Sequence, residues 1–598
     1  MSYLIGVDLG TTNTVVYYMD AEKEDASPEA LKIPQVTERG EVSESELLPS
    51  FIYIPDENEL PEGALNLPWN DKMSFCAGEF AKKNAAVLPS KTVSSAKSWL
   101  CVESIDRLAP VLPPDRRAPD KQISPVEASR RILEHVKNAW NNEFKGKKDK
   151  RFEDQTIVLT VPASFDAAAR DLTVKAAGEA GFKPVLLEEP LAAFYAWLQQ
   201  SGETWRSEVT PGDVILVCDI GGGTSDFTLV KVVDEGGNLS FERLAVGRHI
   251  LLGGDNMDLT AAHAAAAKIK EEKDIDLDSW QISGLVHACR AAKETLLGSE
   301  DAPPQKLTVL GRGSSVVGKT LSAKISKEEL SAIILDGFFP KCGKDEAPAR
   351  SVRAGLRLFG LSYESDPAVT KHLAEFIAKN APGPEMFPTK VLLNGGVTKS
   401  PLIKQRILDT ISSWAPDGKE VKALSGADPD MAVARGGCWY ANVRRGKAIR
   451  IKAGSPRSYY IGIEPAMPAV PGFTPPVKGL CVIPFGMEEG TETDVPCAGL
   501  ALLVGEPTCF KFYSSDARKT DPAGELVENA DRSKELTETP SLTATLKADG
   551  GALPGSFVPI ASIRGALLET GVLQIWCKGE KDSGEWKLEF DPGVRNEK

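Results

Sequence analysis

The sequence predicts an α/β chain of two related lobes followed by an all-β, sandwich-like domain, and three observations carry that expectation. One plan of strand, aspartate, Gly/Thr turn and strand occurs twice, about 210 residues apart. Strands and capped helices alternate around the two copies. After Asn442 the chain changes to short strands separated by Pro/Gly turns.

The first copy, Tyr3 to Tyr18, carries Asp8 at a strand end and then Gly10, Thr11, Thr12 and Asn13 in a tight turn. The second, Val214 to Val230, carries Asp219, then Gly221, Gly222, Gly223 and Thr224. Turn glycines let backbone N–H groups approach an anion, and threonine hydroxyls add donors. Aspartates at the strand ends suit a hydrated Mg²⁺. One such hairpin is a common structural unit, whereas two can grip a triphosphate from both sides.

Between the copies, Ser124-Pro125 with Glu127 predicts a helix start, and Ile132, Val136, Ala139 and Trp140 keep helical spacing behind it. Asp166 caps the next helix and Gly181 ends it, a strand follows over Pro184–Leu187, and Pro190 opens a helix that stops at Gly202. This alternation is the pattern of a ribonuclease-H-like lobe. Gly313 to Thr320 fits G-x-x-x-x-G-K-[ST], but a true phosphate loop of that type must open a helix. Here Leu307–Leu310 and Leu321–Ile325 both read as strands, and the next helix waits for the capping box at Ser326, so a hairpin tip is expected.

Composition narrows the functional classes. At 598 residues the chain is too long for one core, and a net charge of −14 argues against a nucleic-acid-binding face. No apolar run is long enough to span a membrane, and the first residues enter a strand without a signal-peptide pattern. Cys76, Cys101, Cys218, Cys289, Cys342, Cys438, Cys481, Cys497, Cys509 and Cys577 show no C-x-x-C spacing and read as cytoplasmic thiols. His135, His249, His263, His287 and His372 lack metal-ligand spacing and read as structural or surface residues.

The two loops, with the motifs around them, resemble the seventy-kilodalton heat-shock chaperone family of the DnaK type, in order through residues 1–445. Leu48-Pro49-Ser50-Phe51 and Ala96-Lys97-Ser98 fall where that family has its early lobe and catalytic lysine. Val161-Pro162-Ala163-Ser164-Phe165 with Arg170 is similar to its proline switch and arginine relay. Glu188-Glu189-Pro190 matches the glutamate beside the attacking water. Leu252-Gly253-Gly254-Asp255, Ala291-Ala292-Lys293, Asn394-Gly395-Gly396 and Asp428-Pro429-Asp430 complete the series.

The resemblance implies an actin-like ATPase that hydrolyses ATP to ADP and phosphate, with Mg²⁺ and K⁺ as its ions. Lys97 would offer a charge to the γ-phosphate and water. Glu189 and Asp219 would orient that water, and Asp8 and Asp219 would hold Mg²⁺ through its waters. Gly10, Thr11, Thr12, Asn13, Gly221, Gly222, Gly223 and Thr224 would cradle phosphates, with Thr224 also counted among the catalytic groups. Gly253, Gly254, Lys293, Gly395, Gly396 and Asp430 would complete the nucleotide site, and Pro162 and Arg170 would transmit its state. The nucleoside side departs from the pattern: Arg290 stands where many relatives have a carboxylate for the ribose, and Glu294 where some are basic. Val397 and Lys399 replace a serine and an arginine of the adenine loop. Weaker nucleotide binding or altered base preference is therefore expected.

Residues 446–457 form a basic connector with Lys447, Arg450, Lys452 and Arg457, and only Ile449 and Ile451 as apolar contacts. Residues 458–598 resemble the family's peptide-binding β-domain, with strands expected at Tyr459–Ile463, Leu480–Pro484, Leu500–Val504, Cys509–Tyr513, Leu542–Leu546, Val572–Cys577 and Trp586–Phe590. Too few residues follow Phe590 for the family's helical lid, and residues 334–388 are longer than the family needs. The expected function is a chaperone that binds unfolded or extended polypeptide, with a J-domain co-chaperone and a nucleotide-exchange factor as candidate partners. A non-hydrolysing nucleotide-gated scaffold or co-chaperone, and a small-molecule kinase of the same fold, are the alternatives.

Overall fold

The computed structural model describes residues 2–590 except 24–25, 86, 103–104, 115, 117, 236–237, 249, 300, 310–320, 351–363, 427, 447–453, 456, 466–471, 473–474, 489, 498, 505–506, 546–554, 569–571 and 581–583. The sequence repeat is a repeat of sheets. In the first sheet Tyr3–Leu9 pairs antiparallel with Asn13–Asp20 and parallel with Thr156–Val161, which pairs parallel with Val185–Glu188. Glu29–Ala30 and Leu47–Pro49 pair with Asn13–Asp20. In the second sheet Val214–Ile220 pairs antiparallel with Ser225–Glu235 and parallel with Lys390–Asn394. Asn238–Val246 and Lys422–Ala423 complete that sheet. Both sheets thus place Asp8 and Asp219 near the C-terminal ends of central strands, where the adjoining turns open to one side.

The helices follow from the local chemistry. Pro125–Glu143 begins where the Ser124 hydroxyl accepts from Glu127 N at 3.0 Å, and it buries Ile132, Val136, Ala139 and Trp140 on one face. Glu127 itself turns to Arg130 and Arg131. Ala167–Glu179 is capped by Asp166, which accepts from Ala169 N at 2.6 Å. Glu189–Ser201 starts one residue before Pro190. It packs against Ala432–Val443 so closely that a side chain at Gly436 would collide with the Ala192 carbonyl. That crossing, with Gly6 of the first sheet against the Ala434 carbonyl, ties the two sheets together.

Ser326 and Glu329 form the reciprocal capping box of Lys327–Phe338. The strands before it, Gln305–Val309 and Leu321–Ile325, pair antiparallel from Gln305↔Ile325 to Val309↔Leu321. The phosphate-loop lookalike at 313–320 lies outside the described residues, but its flanks are two strands rather than a strand and a helix. Of residues 334–388, the described part includes the helix Val369–Asn380.

The C-terminal strands form one sheet path. It runs Thr491–Pro496, Ser556–Leu567, Leu573–Gly579, Glu585–Phe590, Thr537–Thr545, Pro507–Ser515, Ser458–Ile463, Lys478–Ile483, Leu526–Val527, with Ala501–Val504 also on Ser556–Leu567. Val482, Phe512, Leu542, Ile563, Ile575 and Leu588 share its core. All seven strands expected from sequence are present. Three were not anticipated: Thr491–Pro496 is polar, Leu526–Val527 is only two residues long, and Ser556–Leu567 contains Pro559 and Gly565, which read as breakers. The sheet lies against the α/β part. Ala167 joins its core, Val572 joins the core of the first sheet, and Lys379 pairs with Asp516 at 2.8 Å. The central residues of the basic connector and the chain after Phe590 lie outside the described residues; Arg445 donates to the Ala21 carbonyl at 2.6 Å. Among the described residues no helix is long and apolar enough to cross a membrane.

Candidate active site

The two Gly/Thr turns face each other across a cleft of about 740 Å³. The first turn is held from behind by the Leu48–Phe51 segment. Ser50 Oγ donates to the Gly10 carbonyl at 2.7 Å, and Ser50 N donates to Thr12 O at 2.9 Å. The second turn closes on itself through Gly221 N to Thr224 O at 2.9 Å. It is clipped by Gly254 N to Gly221 O (3.0 Å) and Asp255 N to Gly222 O (2.7 Å). The turns touch. A Cβ at Gly222 would overlap the Thr12 hydroxyl, and one at Gly223 would lie 2.9 Å from Thr11 Cγ2.

Asp8, Gly10, Thr11, Thr12, Asn13, Lys97, Glu189, Asp219, Gly221, Gly222, Thr224, Gly254, Lys293, Gly395, Gly396 and Asp430 all line the cleft. Gly223 and Gly253 do not line it: the first packs on Thr11 and the second beneath the Gly221 and Gly222 carbonyls. Lys97 and Glu189 form an ion pair with side chains only 7% and 13% exposed. Burial opposes the charge on Lys97, but Glu189, Asp8 and Asp219 more than offset it and hold its pKa above the usual lysine range.

The carboxylates are crowded. Burial, with Glu189 adding to it, pushes Asp219 up to about 8, although Asn394 Nδ2 donates to it at 2.8 Å. Burial pushes Asp8 up to about 6 against the pull of Lys97, with Thr160 Oγ1 donating to it at 3.1 Å. Burial likewise raises Asp226 to about 7, and the Ser164 hydroxyl donates to it. One lysine among four carboxylates leaves negative charge unmet, and a divalent cation keeping most of its waters would relieve it. The donor set at Asp8 and Asp219 therefore fits hydrated Mg²⁺.

Sequence reasoning assigned no role to Asp226, Thr160, Asn394 or Ser50, the last two being quoted only as members of motifs. Asp226 falls seven positions after Asp219, where the first copy has Val15 after Asp8, so the repeat itself conceals it. Further along the cleft, Arg290 Nε donates to Asp258 at 2.9 Å and its Nη2 to Asp255. Lys293 Nζ lies 2.7 Å from Asp258 and 3.0 Å from the Gly254 carbonyl, and Lys399 pairs with Asp430. Lys293 and Asp430 thus line the cleft while committed to internal partners.

One relay leads away from the site. Glu188, next to Glu189, accepts from Arg170 at 2.9 Å and from Arg243, which also donates to the carbonyl of Gly454, a connector residue bridged to Glu488 of the β-part. Arg170 also reaches the carbonyls of Ala163 and Phe165 at 3.3 Å.

Comparison with known proteins agrees with this geometry. The model of the family described as Hsp70 protein matches residues 70–343. A chaperone protein DnaK of Nitrosopumilus maritimus (strain SCM1) is 26% identical over 453 residues, covering 75% of this chain and 57% of the relative. A chaperone protein DnaK of Carsonella ruddii (strain PV) is 25% identical over 464 residues, covering 75% of this chain and 64% of the relative. The chain thus spans about three-fifths of the length of the curated relatives it matches. The paired turns, the lysine–glutamate pair and these matches together support an Hsp70-family protein.

Proposed function

We propose that the chain binds ATP with Mg²⁺, hydrolyses it slowly and acts as a molecular chaperone of the heat-shock type on unfolded or extended polypeptide. In this reading residues 1–445 are two ribonuclease-H-like lobes of an actin-like ATPase, 446–457 connect, and 458–598 hold client in a sandwich-like β-domain. The observation that supports it best is the buried Lys97–Glu189 pair between two touching phosphate turns. Phosphoryl transfer needs positioning and charge more than covalent help from the protein.

Thr11, Thr12 and Thr224 with the turn amides would hold the phosphate oxygens, and Mg²⁺ held by Asp8 and Asp219 through water would supply charge neutralisation. Glu189 and Asp219 would accept from the attacking water and aim it in line, and Lys97 would steady the developing charge on the γ-phosphate oxygens. Arg170, Glu188 and Arg243 form a direct physical route from Glu189 to the β-part. A J-domain co-chaperone and a nucleotide-exchange factor are the partners the family implies.

The test is hydrolysis of ATP with and without an apolar peptide, together with release of that peptide on adding ATP. The chaperone reading expects peptide to stimulate hydrolysis and ATP to speed peptide release. Tight ATP binding without turnover would point to a nucleotide-gated scaffold, and transfer of phosphate to a sugar would point to a kinase.

A further inference from the structure

The two strand-end aspartates carry one more inference, which rests on the reading of the cleft as an ATP site. In each sheet the strand that bears the aspartate has a parallel neighbour, and one residue of that neighbour shares the aspartate's register. Opposite Asp8 stands Thr160, and opposite Asp219 stands Asn394. Each follows three apolar residues, Ile157-Val158-Leu159 and Val391-Leu392-Leu393, so the repeat extends to the neighbouring strands. Both side chains reach across in the same way. Thr160 Oγ1 donates to Asp8 Oδ1 at 3.1 Å, and Asn394 Nδ2 donates to Asp219 Oδ2 at 2.8 Å.

The chemistry of these donors decides what they can do. A hydroxyl or an amide orients a carboxylate through one oxygen without neutralising it, whereas a lysine in that place would compete with a cation for its charge. The lysine of the cluster, Lys97, is already paired with Glu189. Thr160 and Asn394 are each 1% exposed, so water cannot take over the role of a donor that is removed. Room is kept for the second oxygen of Asp219 as well: a Cβ on Gly395, which sits at φ +83°, would lie 2.7 Å from Asp219 Oδ1. Asn394 Oδ1, by contrast, is buried without a hydrogen-bond partner. A half-satisfied buried amide costs the fold, so stability does not account for an asparagine at this position.

We propose that Thr160 and Asn394 are a matched pair of positioning residues, each fixing one oxygen of a strand-end aspartate and leaving the other to accept from the water of a hydrated Mg²⁺. Both act through Asp8 and Asp219.

Thr160→Val and Asn394→Leu remove the donors at nearly constant volume, and calorimetry on the full chain compares ATP binding in EDTA and with Mg²⁺. Wild type is expected to bind ATP more tightly with Mg²⁺. In each variant that tightening should shrink by about tenfold, a hydrogen bond to a charged group being lost, while affinity in EDTA changes less than about twofold. Single-turnover hydrolysis should fall by about ten- to a hundredfold from the misplaced aspartates, with the melting temperature of the free protein near that of the wild type. Thr160→Ser keeps the hydroxyl and should lose less than Thr160→Val in both measurements. An unchanged response to Mg²⁺ in either variant overturns the matched pair and leaves the ATP reading standing, as does wild-type ATP binding indifferent to Mg²⁺. Equal losses in EDTA and with Mg²⁺ overturn it too, because they mark a general distortion of the cleft. A wild type that binds no ATP removes the ATP reading and this inference together.

Discussion

Replacing Gly222 by alanine probes the contact between the two phosphate turns. The new Cβ would overlap the Thr12 hydroxyl and lie 3.4 Å from Thr12 Cβ and 3.6 Å from Asp255 Oδ1. Two responses are open. Thr12 can rotate its hydroxyl away, which removes one phosphate donor and costs roughly 1.4 kcal/mol, or tenfold in affinity. Alternatively the turns part by about 1 Å, and a misplacement of that size costs on the order of a hundredfold in rate. Gly222→Ala is therefore expected to lower single-turnover ATP hydrolysis by ten- to a hundredfold, with an unchanged circular-dichroism spectrum and melting temperature. Thr12→Ala in the same chain removes the overlapping atom and leaves only the ordinary 3.4 Å contact. The double variant should then be less impaired than the two single losses multiplied together, a coupling that a double-mutant cycle reads directly. Wild-type hydrolysis by Gly222→Ala, or strictly multiplicative losses, would refute the touching-turn geometry.

Three further outcomes follow from other contacts. His135 is buried with Nε2 donating to the Pro34 carbonyl at 2.9 Å, and burial lowers its pKa from 6.5 to about 4. The unfolded chain binds that proton first, so stability is full above pH 6.5 and falls as pH drops toward 4. At pH 5 the loss is about 2 kcal/mol, and urea unfolding should show a shallower fall between pH 7 and 5 for His135→Gln. Trp280 Nε1 donates to the Val87 carbonyl at 3.0 Å, joining the helix Ser279–Gly298 to the turn that follows the helix Glu79–Ala85 on the opposite rim of the cleft. Trp280→Phe should speed nucleotide release by about two- to tenfold in stopped-flow displacement. Glu188→Ala leaves Arg170 and Arg243 without their shared carboxylate, at a cost of about 3–5 kcal/mol. Its melting temperature should fall clearly further than that of Glu188→Gln, which keeps an acceptor.

Much of the α/β part was legible because its signals are local. The caps at Ser124, Asp166 and Ser326 act within three residues of themselves, and each starts a helix where expected. The repeated turns were legible because an aspartate at a strand end followed by a tight run of glycine and threonine is a local pattern, and it occurs twice. What escaped is what depends on distant partners. Asp226 becomes part of the acidic cluster only once Ser225–Glu235 pairs back onto Val214–Ile220. Arg290, alone in sequence, is a helix-surface cation; Asp255 and Asp258, more than thirty positions away, turn it into part of an internal ion network. Ser556–Leu567 tolerates Pro559 because that residue pairs with Ala501 just beyond the first rung to Leu573–Gly579 at Ile560, next to a register shift, which composition does not reveal. The approach of the β-part to Arg243 and Ala167 likewise has no local sequence signal.

The central claim is that Lys97 and Glu189, between the two turns, do the chemistry of ATP hydrolysis. Single-turnover hydrolysis of Mg²⁺-ATP by the full chain and by Lys97→Ala, with ATP binding measured in parallel, tests it most directly. The account predicts that wild type converts bound ATP to ADP, and that Lys97→Ala still binds ATP but turns it over at least a hundredfold more slowly. Equal turnover by the two proteins, with ATP bound by both, would contradict it.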